Sequence, residues 1–232
     1  MIESLFPEPV VTLEAAEEMW RGSLLPEEEA CLSPRAVSKR RREFTAGRVC
    51  ARAALERLGI RGFPLCAAPD RSPIWPPEIV GSLSHCGDWC GVAIARRGFI
   101  VGLGLDIERA RPLEERVVSM VCSDEERAQI AAQPGLPPGL GAMMVFCAKE
   151  SVYKCLYPLT GTFLDFHDVA ITLGEEARIF SATIVKRTVQ EGRAASHGIR
   201  SVRGRLAWDD AHVCAGAVLT AADLQAAVDS DV

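Results

Sequence analysis

The chain has 232 residues, enough to build a substantial core as one large domain or two small lobes. Its formal net charge of −5 argues against a protein built to coat nucleic acid or an anionic membrane, and no apolar run approaches the length of a membrane span. The nine cysteines are odd in number and follow no repeating spacing, which argues against a disulfide framework and for reduced, mostly buried thiols in the cytoplasm. The first residues lack the basic and apolar regions of a secretory signal.

In chain order, Glu14 to Trp20 reads as a short helix. Ser33-Pro34 is a helix start, serine as N-cap and proline at the first helical position, and that helix is expected to run to about Leu58 and stop at Gly59. It carries the dense basic run Lys39-Arg40-Arg41-Arg42, then Arg48 and Arg52. Such a run is a solvated face or a phosphate site, and by itself it favours the solvated face. Prolines make 61–78 a loop. Three strands follow, Ile79 to His85, Cys90 to Ala95 and Phe99 to Ile107, which the turn signals between them join as an antiparallel meander. Helices are expected at Leu113 to Val121, from the capping box at Ser123 to about Ala132, and from Ala142 to Leu156, with Pro158 as the stop. Four strands close the chain: Asp168 to Leu173, Ala177 to Lys186, Gly198 to Trp208 and His212 to Leu219. Strands, helices and strands again give an α+β fold with two small antiparallel sheets.

Two stretches carry chemistry. The third strand ends in Gly104-Leu105-Asp106-Ile107-Glu108. Residues two apart on a strand share a side, so Asp106 and Glu108 present paired carboxylates while Ile107 turns into the core. Paired hard-oxygen ligands suit Mg²⁺; the alternative is an acidic strand end running into solvent. The second stretch is Phe146-Cys147-Ala148-Lys149-Glu150-Ser151-Val152-Tyr153-Lys154. Glu150 and Lys154 are four apart and share a helix face, as a surface ion pair also would. A largely apolar helix leading into charges argues that those charges have partners. An ion at Asp106 and Glu108 is one for Glu150, and phosphate oxygens are another for Lys149 and Lys154.

These two stretches resemble the signature motifs of the 4′-phosphopantetheinyl transferases, of the type that activates surfactin and enterobactin synthetases. Ser38 to Phe44 through Arg48 resembles that family's N-terminal basic helix, and Trp75-Pro76 followed by Gly81-Ser82-Leu83-Ser84-His85-Cys86 resembles its Ser-[Leu/Ile]-[Ser/Thr]-His strand. The resemblance implies two similar lobes joined as a pseudo-dimer, each a small antiparallel sheet with a packed helix, and an active site in the cleft between them. The lobes are expected at 1–110 and 111–232. It implies transfer of the 4′-phosphopantetheine arm of coenzyme A to a serine of an apo acyl or peptidyl carrier protein, releasing adenosine 3′,5′-bisphosphate. Asp106, Glu108 and Glu150 would hold Mg²⁺, with Mn²⁺ left open. Glu150 would be the base, Lys154 would stabilise charge in the transition state, and Lys149 would bind phosphate oxygens. Arg40, Arg48 and His85 match coenzyme A phosphate contacts, with Ser84 adding one near His85. The Lys-Gly-x-x-Gly-x-Pro loop of many relatives is absent: Ala67 to Pro73 lacks the lysine, and Arg71 lies nearby. The implied protein is a cytoplasmic monomer whose carrier belongs to fatty-acid, polyketide or nonribosomal-peptide synthesis. Two alternatives stay open: another Mg²⁺-dependent transferase acting on a nucleotide diphosphate, and a non-catalytic module docking acidic partners through the basic helix.

Overall fold

The computed structural model describes residues 1–133, 135–174, 176–185 and 199–229. Its first sheet has three antiparallel strands in the order β1 (Val11–Glu14), β3 (Trp89–Arg96), β2 (Ile79–Cys86). A short helix α1 (Pro26–Glu29) precedes the long helix α2 (Ser38–Arg57), which packs on this sheet. Cys50, Ala51, Ala54 and Leu55 of α2 meet Ile79, Val92 and Ile94 there, all buried.

The second sheet has five antiparallel strands in the order β4 (Ile100–Arg109), β8 (His212–Thr220), β7 (Ser201–Trp208), β6 (Ile179–Ile184), β5 (Val169–Leu173). Helices α3 (Glu115–Val121), α4 (Asp124–Ala132) and α5 (Gly141–Thr160) lie between β4 and β5 in the chain, and α6 (Ala221–Asp229) follows β8. Met144, Val145, Ala148, Val152 and Leu156 of α5 bury against this sheet. Each sheet therefore carries one long helix, the α+β arrangement expected.

The expected meander stops after two strands. β2 and β3 form a hairpin through Gly87 at φ 66°, but β4 leaves them and pairs with β8, Asp106 opposite Ala215 and Glu108 opposite Val213. The reason is edge occupancy: β1, where the sequence suggested only a helix from Glu14, already holds the second edge of β3. The division expected at residue 110 thus falls after a strand that belongs to the second sheet. The seam between the sheets is made by side chains. Ser82 Oγ accepts from the Leu105 N–H (2.9 Å) and Ser84 Oγ from the Ile107 N–H (3.2 Å), so serine hydroxyls stand where strand carbonyls would be. Leu103, Leu105 and Ile107 fill the core between the sheets with Ile2, Leu5 and Val80.

Other boundaries shift for local reasons. α2 begins at Ser38, because Ser33 makes a turn of its own, its hydroxyl accepting from the Arg35 N–H at 3.2 Å. α5 runs through Pro158 and ends at Gly161, φ 62°, since a proline in the last turn removes only one intrahelical bond. The strands expected to reach Lys186 and to start at Gly198 run Ile179–Ile184 and from Ser201; Lys186 and Gly198 lie outside the described residues.

Gly104 fixes how α5 sits on β4. A Cβ added there would lie 1.7 Å from the Ser151 carbonyl oxygen and 2.9 Å from the Cys155 nitrogen, both backbone atoms that cannot swing away. Gly102, Gly104, Asp106 and Glu108 alternate onto the side of β4 that faces α5. The close approach therefore lays the charged turn of α5 over the carboxylates. Gly104→Ala is expected to cost about 1–3 kcal/mol through overpacking, read as a fall in the denaturant midpoint at unchanged slope.

Candidate active site

Asp106 is 3% exposed and sits where β4, β2 and α5 meet. Its Oδ1 accepts from Lys154 Nζ at 2.6 Å and from Ser84 Oγ at 3.2 Å. Lys154 Nζ donates further to Ser84 Oγ (3.1 Å) and to the Leu105 carbonyl (3.2 Å). Burial opposes the Lys154 charge, but Asp106 and then Glu150 outweigh it, so its pKa lies above the ordinary lysine value.

The carboxylates at this place outnumber the ammonium. Burial first, and then Asp106, push Glu108 up to about 6. Burial and Asp106 likewise raise Glu150, with Lys154 opposing. Among the described residues no hydrogen-bond partner meets the buried Asp106 Oδ2. A buried carboxylate oxygen without a donor is costly, and the cost disappears if a cation sits against it. Among the described residues no three His, Cys, Asp or Glu side chains are already gathered to hold a metal ion. The fit to a divalent cation accordingly rests on the surplus negative charge and on this orphaned oxygen. It suits an ion that takes few protein oxygens and completes its shell with water and phosphate.

A cavity of about 790 Å³ opens beside Lys154, lined by Arg40, Arg48, Arg71, His85 and Tyr153 among others. Arg48 is 5% exposed, its guanidinium 3.9 Å from the Phe44 ring centroid and its Nε donating to the Leu65 carbonyl at 2.9 Å. Burial, chiefly, lowers its pKa to about 10, still charged at neutral pH. His85 lies 4.0 Å from Glu43, and burial pulls its pKa below the usual imidazole value, so it is a neutral hydrogen-bonding group at pH 7. Tyr157 Oη of α5 donates to Asp70 Oδ2 of the 66–74 loop at 2.9 Å, and Asp70 Oδ1 accepts from Ser72. This bond ties the loop to the opposite wall, with Arg71 held at φ 72° between its partners.

The sequence-derived set divides into two. Asp106, Glu108, Glu150 and Lys154 form one cluster, and Arg40, Arg48 and His85 line the adjoining cavity. Ser84 lies differently from the expectation of a ligand contact near His85. Alternation on β2 turns its hydroxyl to β4, where it joins Asp106 and Lys154. Lys149 is a correction. Its Nζ donates to the Val121 carbonyl (2.7 Å), Glu126 Oε2 (2.8 Å) and the Phe166 carbonyl (2.8 Å), with 3% of the residue exposed, so no donor is left for a phosphate. Arg52 is spent in the same way, on buried Glu28 and the Ser23 carbonyl.

Three participants went unread in the sequence: Glu126, Tyr157 and Asp70. Glu126 had a signal, since it closes the capping box with Ser123 (Ser123 N–H to Oε2, 2.8 Å). Its other oxygen accepts from the Ile171 N–H at 2.7 Å, so a helix cap doubles as the counter-ion of Lys149.

Family comparison agrees with this geometry. The model described as the 4′-phosphopantetheinyl transferase N-terminal domain matches residues 27–95, and that of the 4′-phosphopantetheinyl transferase superfamily matches 102–215. The chain is 40% identical over 188 residues to 4′-phosphopantetheinyl transferase Svp of Streptomyces mobaraensis, covering 80% of this chain and 76% of that protein. It is 36% identical over 196 residues to 4′-phosphopantetheinyl transferase PptT of Mycobacterium tuberculosis, covering 84% and 83%. It is 34% identical over 162 residues to enterobactin synthase component D of Salmonella typhimurium, covering 66% of each. The chain belongs to the 4′-phosphopantetheinyl transferase family. It is therefore a transferase enzyme of the class that moves phosphopantetheine to carrier proteins. The boundary between the two family segments, 95 to 102, falls at the Arg97-Gly98 turn, where the chain passes from the first sheet to the second.

Proposed function

We propose that this transferase moves the 4′-phosphopantetheine arm of coenzyme A to the serine hydroxyl of an apo carrier protein, in a reaction that depends on Mg²⁺. The observation that carries the reading is the buried, unpartnered Asp106 Oδ2 among three carboxylates at the edge of a cationic cavity. Arg40, Arg48 and His85 would receive the phosphates of coenzyme A, and Asp106, Glu108 and Glu150 would hold the metal. Mn²⁺ fits the same hard-oxygen set. A bound divalent ion supplies charge neutralisation on the diphosphate and on the leaving bisphosphate.

The chain's own residues do the rest. Glu150, made more basic by burial and by Asp106, takes the proton of the carrier serine as its oxygen bonds to phosphorus. The phosphorus–oxygen bond of the diphosphate breaks, and adenosine 3′,5′-bisphosphate departs. Lys154 is held charged by Asp106 and faces the developing negative charge. Ser84 and the Leu105 carbonyl fix its ammonium, which limits its freedom to swing away from the reacting phosphate.

The reading includes a monomer, supported by the two family segments, 27–95 and 102–215, that lie in one chain. It includes the cytoplasm, supported by nine unbridged thiols. Among the described residues no helix is long and apolar enough to cross a membrane.

Intact-mass measurement on fatty-acid, polyketide and peptide apo carriers, each with coenzyme A and Mg²⁺, tests this. The expected result is a gain of one phosphopantetheine on at least one carrier, abolished by a chelator and restored by added Mg²⁺. No gain on any carrier, together with no binding of coenzyme A, overturns the reading. A gain that survives metal removal overturns the metal assignment alone.

A further inference from the structure

Most of the cysteines are sealed in the cores, but Cys31, just after α1, and Cys66, in the loop before β2, are half-exposed and lie together. Both thiols donate to one acceptor, the Glu27 carbonyl, Cys31 Sγ at 3.3 Å and Cys66 Sγ at 3.8 Å. They are also close enough for the Cys31 thiol to influence the Cys66 ionisation. The backbone around them is pinned to α1 from both sides: the Cys31 N–H donates to the Glu28 carbonyl (3.0 Å) and the Leu65 N–H to Glu28 Oε1 (3.1 Å). The two sulfurs are thus held in place by a shared scaffold that belongs to neither segment alone. Cys86, the other half-exposed thiol, instead faces Glu108 at 3.8 Å.

One member of the pair sits on the wall of the large cavity. Cys31 lines it together with Leu32, Ser33 and Arg35. The residue before Cys66 supplies the carbonyl that holds Arg48, and the Arg48 guanidinium is within electrostatic reach of both sulfurs. We propose that Cys31 and Cys66 are a redox modification site, closing to a reversible disulfide when hydrogen peroxide is the oxidant. The peroxide oxygen nearest the attacking thiolate is transferred to Cys31 as a sulfenic acid, and the other oxygen leaves as water once protonated. The Cys66 sulfur then attacks the sulfenic sulfur, the S–O bond breaks, a second water leaves and the S–S bond forms. In total two thiols lose two electrons and two protons, and one peroxide becomes two waters. A cytosolic disulfide of this kind is transient, since thiol reductants reopen it. Cys31 lines the cavity and is the thiol that meets the oxidant, and Cys66, whose ionisation burial and then the Cys31 thiol push up, closes the bond.

The closure draws Leu65 and its carbonyl toward α1, and Arg48 moves with it. Weaker coenzyme A binding in the oxidised state follows, a consequence that rests on the proposed function. The test uses the full-length protein, reduced and then treated with hydrogen peroxide, with remaining thiols alkylated before non-reducing digestion and mass mapping. The expected product is a peptide linked between Cys31 and Cys66, two hydrogens lighter, reversed by dithiothreitol and absent from Cys31→Ser and Cys66→Ser proteins of unchanged circular dichroism. Over-oxidation of Cys31 without the link, or links scattered among other thiols, overturns the proposal. Calorimetric titration with coenzyme A then separates the two readings. Several-fold weaker binding to the linked form, lost in Cys66→Ser, supports the regulatory consequence, and equal binding overturns it. No binding to the reduced protein overturns the proposed function and leaves the disulfide standing on the mapping.

Discussion

Glu150→Gln lowers the rate of phosphopantetheine transfer by roughly 10²–10⁴-fold, the range that a positioned general base contributes. The amide keeps the size of the carboxylate and cannot accept the serine proton. Folding does not suffer. Burial and the neighbouring Asp106 raise the Glu150 pKa in the folded state. A carboxylate so raised favours folding most below its unfolded pKa, and that advantage is lost as pH rises through the folded value. Above the folded value the carboxylate of Glu150 in the metal-free protein therefore opposes folding, and the amide relieves it. The expected signature is a collapse of kcat with a melting temperature equal to or slightly above that of the parent, measured without metal. Retained transfer at saturating coenzyme A would falsify the assignment of Glu150 as the base.

Lys149→Met, one residue earlier, gives the opposite signature. It leaves Glu126, 4% exposed, without its cation and frees the Val121 and Phe166 carbonyls. Breaking one side of a buried pair costs about 3–5 kcal/mol. For a chain of this size that is a fall of roughly 6–20 °C in melting temperature. Glu126 keeps the Ser123 and Ile171 N–H donors, so the protein still folds at low temperature. There its affinity for coenzyme A is expected to remain near the parent value, because the ammonium never reaches the cavity. An unchanged melt with a raised KM for coenzyme A would return Lys149 to the phosphate role. A double substitution with Glu126→Gln measures the coupling, and a double cost smaller than the sum of the two single costs confirms that they act as one pair.

The difference between these neighbours was partly written in the helix repeat. At 3.6 residues per turn, positions four apart differ by about 40° and positions five apart by about 140°. Glu150 and Lys154 therefore face one way, and Lys149 cannot join them. Lys149 was nonetheless expected on phosphate oxygens with Lys154, and the position of α4 identified where it goes.

Local pattern alone settled a good deal. Alternation in β4 put Asp106 and Glu108 on one side and Ile107 in the core, as found. The capping box opened α4 at Ser123, and the Gly87 turn closed the β2–β3 hairpin. Five short motifs in order pointed to the family that the family models match. Each of these is a statement about one element and the side it presents.

Which neighbour meets that side was decided in three dimensions. β4 left the first sheet because β1 had taken the free edge of β3. Ser84 became part of the Asp106–Lys154 cluster because the two sheets meet through serine hydroxyls. Arg52 was consumed by Glu28, and Tyr157 reached Asp70, across separations in sequence that no periodicity records. Spacing along a strand or helix determines direction, whereas partnership depends on which edges and faces remain open once the other elements have packed. The family of this protein was therefore legible in its motifs, and the division of its charged side chains between cleft and scaffold belonged to the tertiary structure.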